Sequence, residues 1–140
     1  MKGVFHCKSC GAALTSEITV LSTKDPAVTA PELRDGEPVC AAGMAFELHE
    51  PLQNSHDPAN PVPLDFTPQF WANPQDFEAA IEETWVIGRL NGCCGLDGCD
   101  GPNMLCRICK AEVGTMQSDC WTPLIFVPEH GKTEFRKTDT

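Results

Sequence analysis

Cys7-Lys8-Ser9-Cys10 near one end of the chain and Cys106-Arg107-Ile108-Cys109 near the other are two copies of one chemical pattern. The flanks repeat as well: Val4-Phe5-His6 leads into the first pair, Met104-Leu105 into the second, and Ala12 falls on Ala111 when the cysteines are aligned. A CxxC spacing lets two thiolates on a tight turn point at one ion, and two such turns supply the four ligands of tetrahedral Zn²⁺. Cys7, Cys10, Cys106 and Cys109 are therefore the candidate ligands of a structural zinc site. A single CxxC is also compatible with a redox pair, half a disulfide or chance. A thioredoxin-type pair, however, sits between a strand and a long helix, and residues 11–22 are β-branched with no helical stripe.

Those assignments use four of nine cysteines. Cys93, Cys94, Cys99 and Cys120 form a candidate second zinc set, with His6 or His49 as substitutes, because neighbours such as Cys93 and Cys94 rarely both reach one ion. Buried thiols or a disulfide are the alternatives, and Cys40 is left without an assignment. One Zn²⁺ is expected on these grounds, or two if the second set is real. The stretch from Asn91 to Asn103 is so rich in glycine that it either turns tightly or lets backbone approach closely. Asp97 and Asp100 have the composition of a calcium loop, but the alternating oxygen ligands and closing Glu are missing, so Asp-Gly turns account for them better.

The 140 residues suit one domain, and 41% hydrophobic residues suffice for a core. No stretch reads as a membrane span, and the start has no apolar leader, so a reducing, cytoplasmic setting is expected in which thiols serve as ligands. Twenty acidic against ten basic residues give a formal charge of −10. Phosphate binding needs a basic face, and the one basic concentration is Lys132, Arg136 and Lys137, mixed with Glu134 and Asp139. Nucleic acid is thus a poor partner, and acidity serves solubility or a protein contact.

The elements must bring the two ends together. Glu17-Ile18-Thr19-Val20-Leu21 reads as a strand, and residues 24–38 as a Pro- and acid-rich loop. Residues 41–49 look extended, with Met44, Phe46 and Leu48 on one face; prolines break 50–64; Phe66, Phe70 and Trp71 return to the core. Asn73-Pro74 has the signature of a helix start, and Phe77, Ala80, Ile81, Thr84 and Trp85 make a stripe that predicts an amphipathic helix ending near Gly88. Its carboxylates Asp76, Glu78, Glu82 and Glu83 read as a solvated face and not as an acid–base pair. Residues 112–115 and 120–127 read as strands, with Trp121 in the core.

The expected fold is α+β and mostly β: a zinc-ribbon-type knuckle pair joins both chain ends, and a long inserted lobe contains the amphipathic helix. One zinc-stabilised domain spans 1–128, with the insertion at 24–90 and a charged tail at 129–140.

The paired Cys7-x-x-Cys10-Gly11 and Cys106-x-x-Cys109 segments resemble the knuckles of a zinc ribbon. With Glu112-Val113-Gly114 and Asp119-Cys120-Trp121, the loop from Asn91 to Asn103 resembles a family of small bacterial proteins carrying NGCCGxDGxDGPN, a pattern without cysteine at the place of Cys99. That resemblance implies no activity. The chain has no nucleophile elbow, P-loop or dinucleotide fingerprint. The expected role is an acidic protein-binding or regulatory module, for example of the immunity type in which an acidic protein blocks a basic toxin. The alternative is a zinc-dependent enzyme or thiol-based redox sensor using Cys93 and Cys94, with Arg89 and Arg107 as the nearby cations in sequence.

Overall fold

The alternation seen in the first strand sets the plan of the whole molecule. In β1 (Lys2–Cys7) Gly3, Phe5 and Cys7 are buried while the residues between them are not, so one face of the strand looks into the core and carries Cys7 with it. The computed structural model describes residues 1–29, 31–48, 69–92, 95, 96, 98, 101–119 and 122–138. Eight further strands follow: β2 (Ile18–Ser22), β3 (Met44–Leu48), β4 (Gln69–Ala72), β5 (Ile81–Glu83), β6 (Met104–Cys106), β7 (Glu112–Gln117), β8 (Ile125–Pro128) and β9 (Thr133–Lys137). They form one curled, nine-stranded sheet in the order β5-β6-β7-β8-β4-β3-β2-β1-β9. Neighbours are antiparallel except β2 and β3.

This order has one consequence for the cysteines. β1 and β6, which carry the two CxxC turns, each lie second from an edge at opposite ends of the sheet. A flat sheet would hold them far apart, since strands lie about 4.8 Å from one another. The curl brings them together. Its interior is filled by phenylalanines: Phe135 and Phe5 have ring centroids 5.0 Å apart, Phe5 and Phe77 5.6 Å, and Phe77 and Phe126 4.3 Å. Phe5 belongs to one end of the sheet and Phe126 to its middle, so Phe77 bridges the concavity.

The amphipathic helix expected over 73–88 is absent, and the fold is nearly all sheet. Asn73 does cap a helical turn, accepting from the Gln75 N–H at 2.9 Å, but that turn is a three-residue 3₁₀ segment, Pro74–Asp76. The chain then enters β5, and a second 3₁₀ turn covers Ile87–Arg89. Two sets of tertiary bonds outweigh the local signal. The Asp76 carboxylate accepts from the Gly43 N–H at 2.9 and 3.1 Å, and Ile81, Glu82 and Glu83 pair with β6. Helix propensity is a weak prior, and a strand partner is a strong one, so pairing decides the conformation here. Of the expected stripe, Phe77, Ile81 and Thr84 are buried, whereas Trp85 is 74% exposed.

No inserted lobe stands apart either: β2, β3 and β4 continue the same sheet. Because β3 lies between two strands, Ala45 and Phe46 are both buried, while Met44 and Leu48 are half-buried. Within the stretch 129–140 expected as a charged tail, residues 133–137 form β9, paired with β1 from Gly3 to Cys7. The expectations for Phe66, Trp121 and the loop at 50–64 fall outside the described residues.

One buried amide locks the second knuckle. β6 and β7 shift register between Met104 and Leu105, and the fully buried Asn103 side chain fills the gap. Its Nδ2 donates to the Met116 carbonyl at 2.9 Å, and its Oδ1 accepts from the Met116 N–H at 2.7 Å, which imitates a ladder pair.

Candidate metal centre

Each cysteine pair sits on a turn with its own backbone scaffold, and the two scaffolds match closely. The Cys7 N–H donates to the Ala12 carbonyl at 2.8 Å and the Gly11 N–H to the Cys7 carbonyl at 2.7 Å. In the second turn the Cys106 N–H donates to the Ala111 carbonyl at 2.9 Å and the Lys110 N–H to the Cys106 carbonyl at 2.9 Å. The residue after the second cysteine takes a left-handed conformation in both: Gly11 has φ 78° and Lys110 φ 64°. Lys110 is the one non-glycine residue with positive φ among the described residues. Its ammonium pairs with the Glu82 carboxylate of β5, and its backbone strain is imposed by the knuckle. The alignment of the two CxxC segments already contained this signal, since Lys110 stands where the first copy has glycine.

The four sulfur atoms converge. Cys7 and Cys109 Sγ are 3.5 Å apart, Cys10 and Cys106 Sγ 3.8 Å, and all four lie within 4.8 Å of one another. A regular tetrahedron of sulfur around zinc, with bonds of about 2.3 Å, has edges of about 3.8 Å. A disulfide would need about 2.05 Å, and all four thiols are free. The close contacts run between the knuckles, so the group joins the two ends of the sheet across 102 residues. Cys7 and Cys106 are buried, Cys109 is half-buried and Cys10 is exposed. These four cysteines could hold a metal ion.

Their environments divide the thiols before any metal binds. Burial pushes the Cys7 thiol up to about 12, reinforced by the hydrogen bond to Cys109 and opposed by the backbone N–H groups of Cys10 and Ser9. Burial also acts to raise Cys109, but the Ala111 N–H and hydrogen bonds from Cys7, Cys10 and Ser9 outweigh it and bring Cys109 down to about 7. For Cys10 the Ala12 N–H lowers the thiol, and desolvation with the contacts to Cys109 and Cys106 carries it upward on balance. The neighbours' hydrogen bonds thus favour the charged form of Cys109 over that of Cys7. Metal binding must displace the thiol protons, so affinity rises with pH.

Each CxxC spacer carries one basic residue. Lys8 and Arg107 follow the first cysteine of each knuckle, and the Arg107 guanidinium donates to the Glu78 carbonyl at 3.4 Å. His6, beside Cys7, places Nδ1 3.1 Å from the Gly11 carbonyl, within the knuckle scaffold and outside the sulfur cluster.

Cys93, Cys94, Cys99 and Cys120, the candidate second set, and His49 lie outside the described residues. Of the glycine-rich loop, Leu96 is tied to the end of β7: its N–H donates to Ser118 Oγ at 3.2 Å and its carbonyl accepts from the Ser118 N–H at 2.8 Å. Cys40 stands apart from the cluster. Its Sγ donates to the Met44 carbonyl at 3.1 Å, and burial, with the Asp76 charge nearby, pushes the thiol up to about 11 against the Asn73 N–H. Both effects favour the protonated thiol over the thiolate. No helix among the described residues is long and apolar enough to cross a membrane.

No protein-family model, curated protein or solved structure matches the chain.

Proposed function

We propose that Cys7, Cys10, Cys106 and Cys109 hold one structural Zn²⁺ that staples the two ends of the curled sheet, and that the stapled sheet serves as an acidic protein-binding or regulatory module. The carrying observation is the sulfur geometry, with inter-knuckle edges of 3.5 and 3.8 Å against about 3.8 Å for a zinc tetrathiolate. An all-thiolate set fills the tetrahedron. A catalytic zinc keeps one position open for water, so the ligand set favours a structural over a catalytic ion.

The binding role rests on the charge of −10 and on the lack of a basic face for nucleic acid. Acidic partners are disfavoured, and a basic protein surface, as in the immunity-type role, is the complementary one. Zinc per chain by elemental analysis, with free thiols counted on the same reduced sample, tests the staple. One zinc with five free thiols is the expected result, and no bound zinc or other divalent metal overturns it. A pull-down at low and high salt tests the module, where salt-sensitive retention of a basic protein is expected and salt-insensitive or absent retention overturns charge-led recognition.

A further inference from the structure

We infer that β9 is a self-association edge: two copies of this chain pair their β9 strands antiparallel about Phe135, which continues the sheet from one molecule into the next. β9 ends the sheet on one side among the described residues. Its register with β1 settles which backbone groups are free. The Lys8 N–H donates to the Lys132 carbonyl and the Thr138 N–H to the Lys2 carbonyl, both at 2.9 Å, so the even-numbered residues of β9 turn their backbone toward β1. Thr133, Phe135 and Lys137 point theirs away from the sheet. The Thr133 N–H is taken by the Glu129 carbonyl at 3.2 Å, which among the described residues leaves its carbonyl, both groups of Phe135 and the Lys137 N–H for a neighbour.

A second β9 supplies the matching set when Phe135 faces Phe135 of the other copy. Phe135 then bonds its counterpart in both directions, and each Lys137 N–H meets the Thr133 carbonyl across the axis. Glu134 falls opposite Arg136 of the second copy, and Arg136 opposite Glu134, at the closer, non-hydrogen-bonded positions where side chains touch most. Within one molecule these two side chains are half-exposed and pair with each other at 3.3 Å. The other registers fail on charge or on donors. Centring on Lys137 sets lysine against lysine, and centring on Thr133 needs an N–H already in use. On the inner face, the half-buried Phe135 packs against Phe5 and Phe70, and its counterpart would extend that aromatic row.

A junction of five residues per copy lies at the small end of specific interfaces, so the dimer is a weak one, seen by sedimentation up to about 1 mM protein. Glu134→Arg and Arg136→Glu should each weaken dimerisation about tenfold or more, because two attractive cross-strand pairs become repulsive. Mixed in equal amounts, the two variants should recover a dimer of parental strength, because the Glu134→Arg chain sets two arginines against the two glutamates of the Arg136→Glu chain. Lys137→Pro removes an outward N–H that the β1 ladder does not use, and should lose the dimer with unchanged melting. A parent that stays monomeric to about 1 mM, single variants that dimerise like the parent, or a mixture that does not recover would each overturn the inference.

Discussion

Stripping the proposed metal is the perturbation that bears most directly on the architecture, and its size follows from the topology. The contact from Cys7 to Cys109 spans 102 residues. Treated as a cross-link, closure of a loop of about 100 residues is worth about 4.7 kcal/mol through the unfolded chain. A domain of this kind is stable by about 5–15 kcal/mol in total, so the clamp accounts for a third of it or more. At about 3–5 °C per kcal/mol for this chain length, a reduced, metal-free sample should melt about 15–25 °C below the loaded one. This is a lower bound, because the metal–sulfur bonds add to the closure term. The effect should also be local first: the amides of Cys7, Gly11, Cys106 and Lys110, which hold the knuckles, should lose hydrogen-exchange protection before those of β3 and β4. Calorimetry and exchange before and after chelation, with residual metal quantified, measure both. A confirmed metal-free protein whose melting moves by less than about 5 °C would refute the staple.

Other perturbations test the scaffold around the cluster. Asn103→Ala should cost about 2–5 kcal/mol in denaturant unfolding, because it strands the Met116 N–H and carbonyl in the core, and an unchanged midpoint would contradict the ladder-mimic role. Gly114→Ala should cost about 1–3 kcal/mol or more, since its methyl would overlap the Phe126 ring and lie 2.6 Å from the Val127 carbonyl oxygen; an unchanged unfolding midpoint would count against that close approach. Cys40 is raised from an ordinary 9.0 to about 11, so its contribution is fully present below pH 9 and is lost as pH rises through 11. The melting temperature of the parent should therefore fall more steeply between pH 9 and 11 than that of Cys40→Ala, and parallel curves would contradict the assignment.

The knuckles were legible because their chemistry is local. CxxC puts two thiols on one turn whatever the rest of the chain does, and the repeated flanks of Cys7 and Cys106 tie two such turns to a common geometry. Strands with clear β-branched runs, such as Ile18–Ser22 and Ile125–Pro128, were legible for the same reason. The stretch from Asn73 to Gly88 was not. Its stripe and cap fit a helix in isolation, and only the open side of β6 and the Gly43 N–H facing Asp76 turn it into 3₁₀ turns and an edge strand.

What the amino-acid sequence determined by itself was therefore the donor set, its turn geometry and the acidic charge, since each depends on residues a few positions apart or on a simple sum. That the two turns would meet was expected from their paired donors, but only tertiary structure decided by what route they do. β1 and β6 lie near opposite ends of a nine-stranded sheet, and they come within sulfur contact because the sheet curls around Phe5, Phe77 and Phe126. Curl is a property of strand order and core packing summed over the whole chain, so no window of sequence contains it.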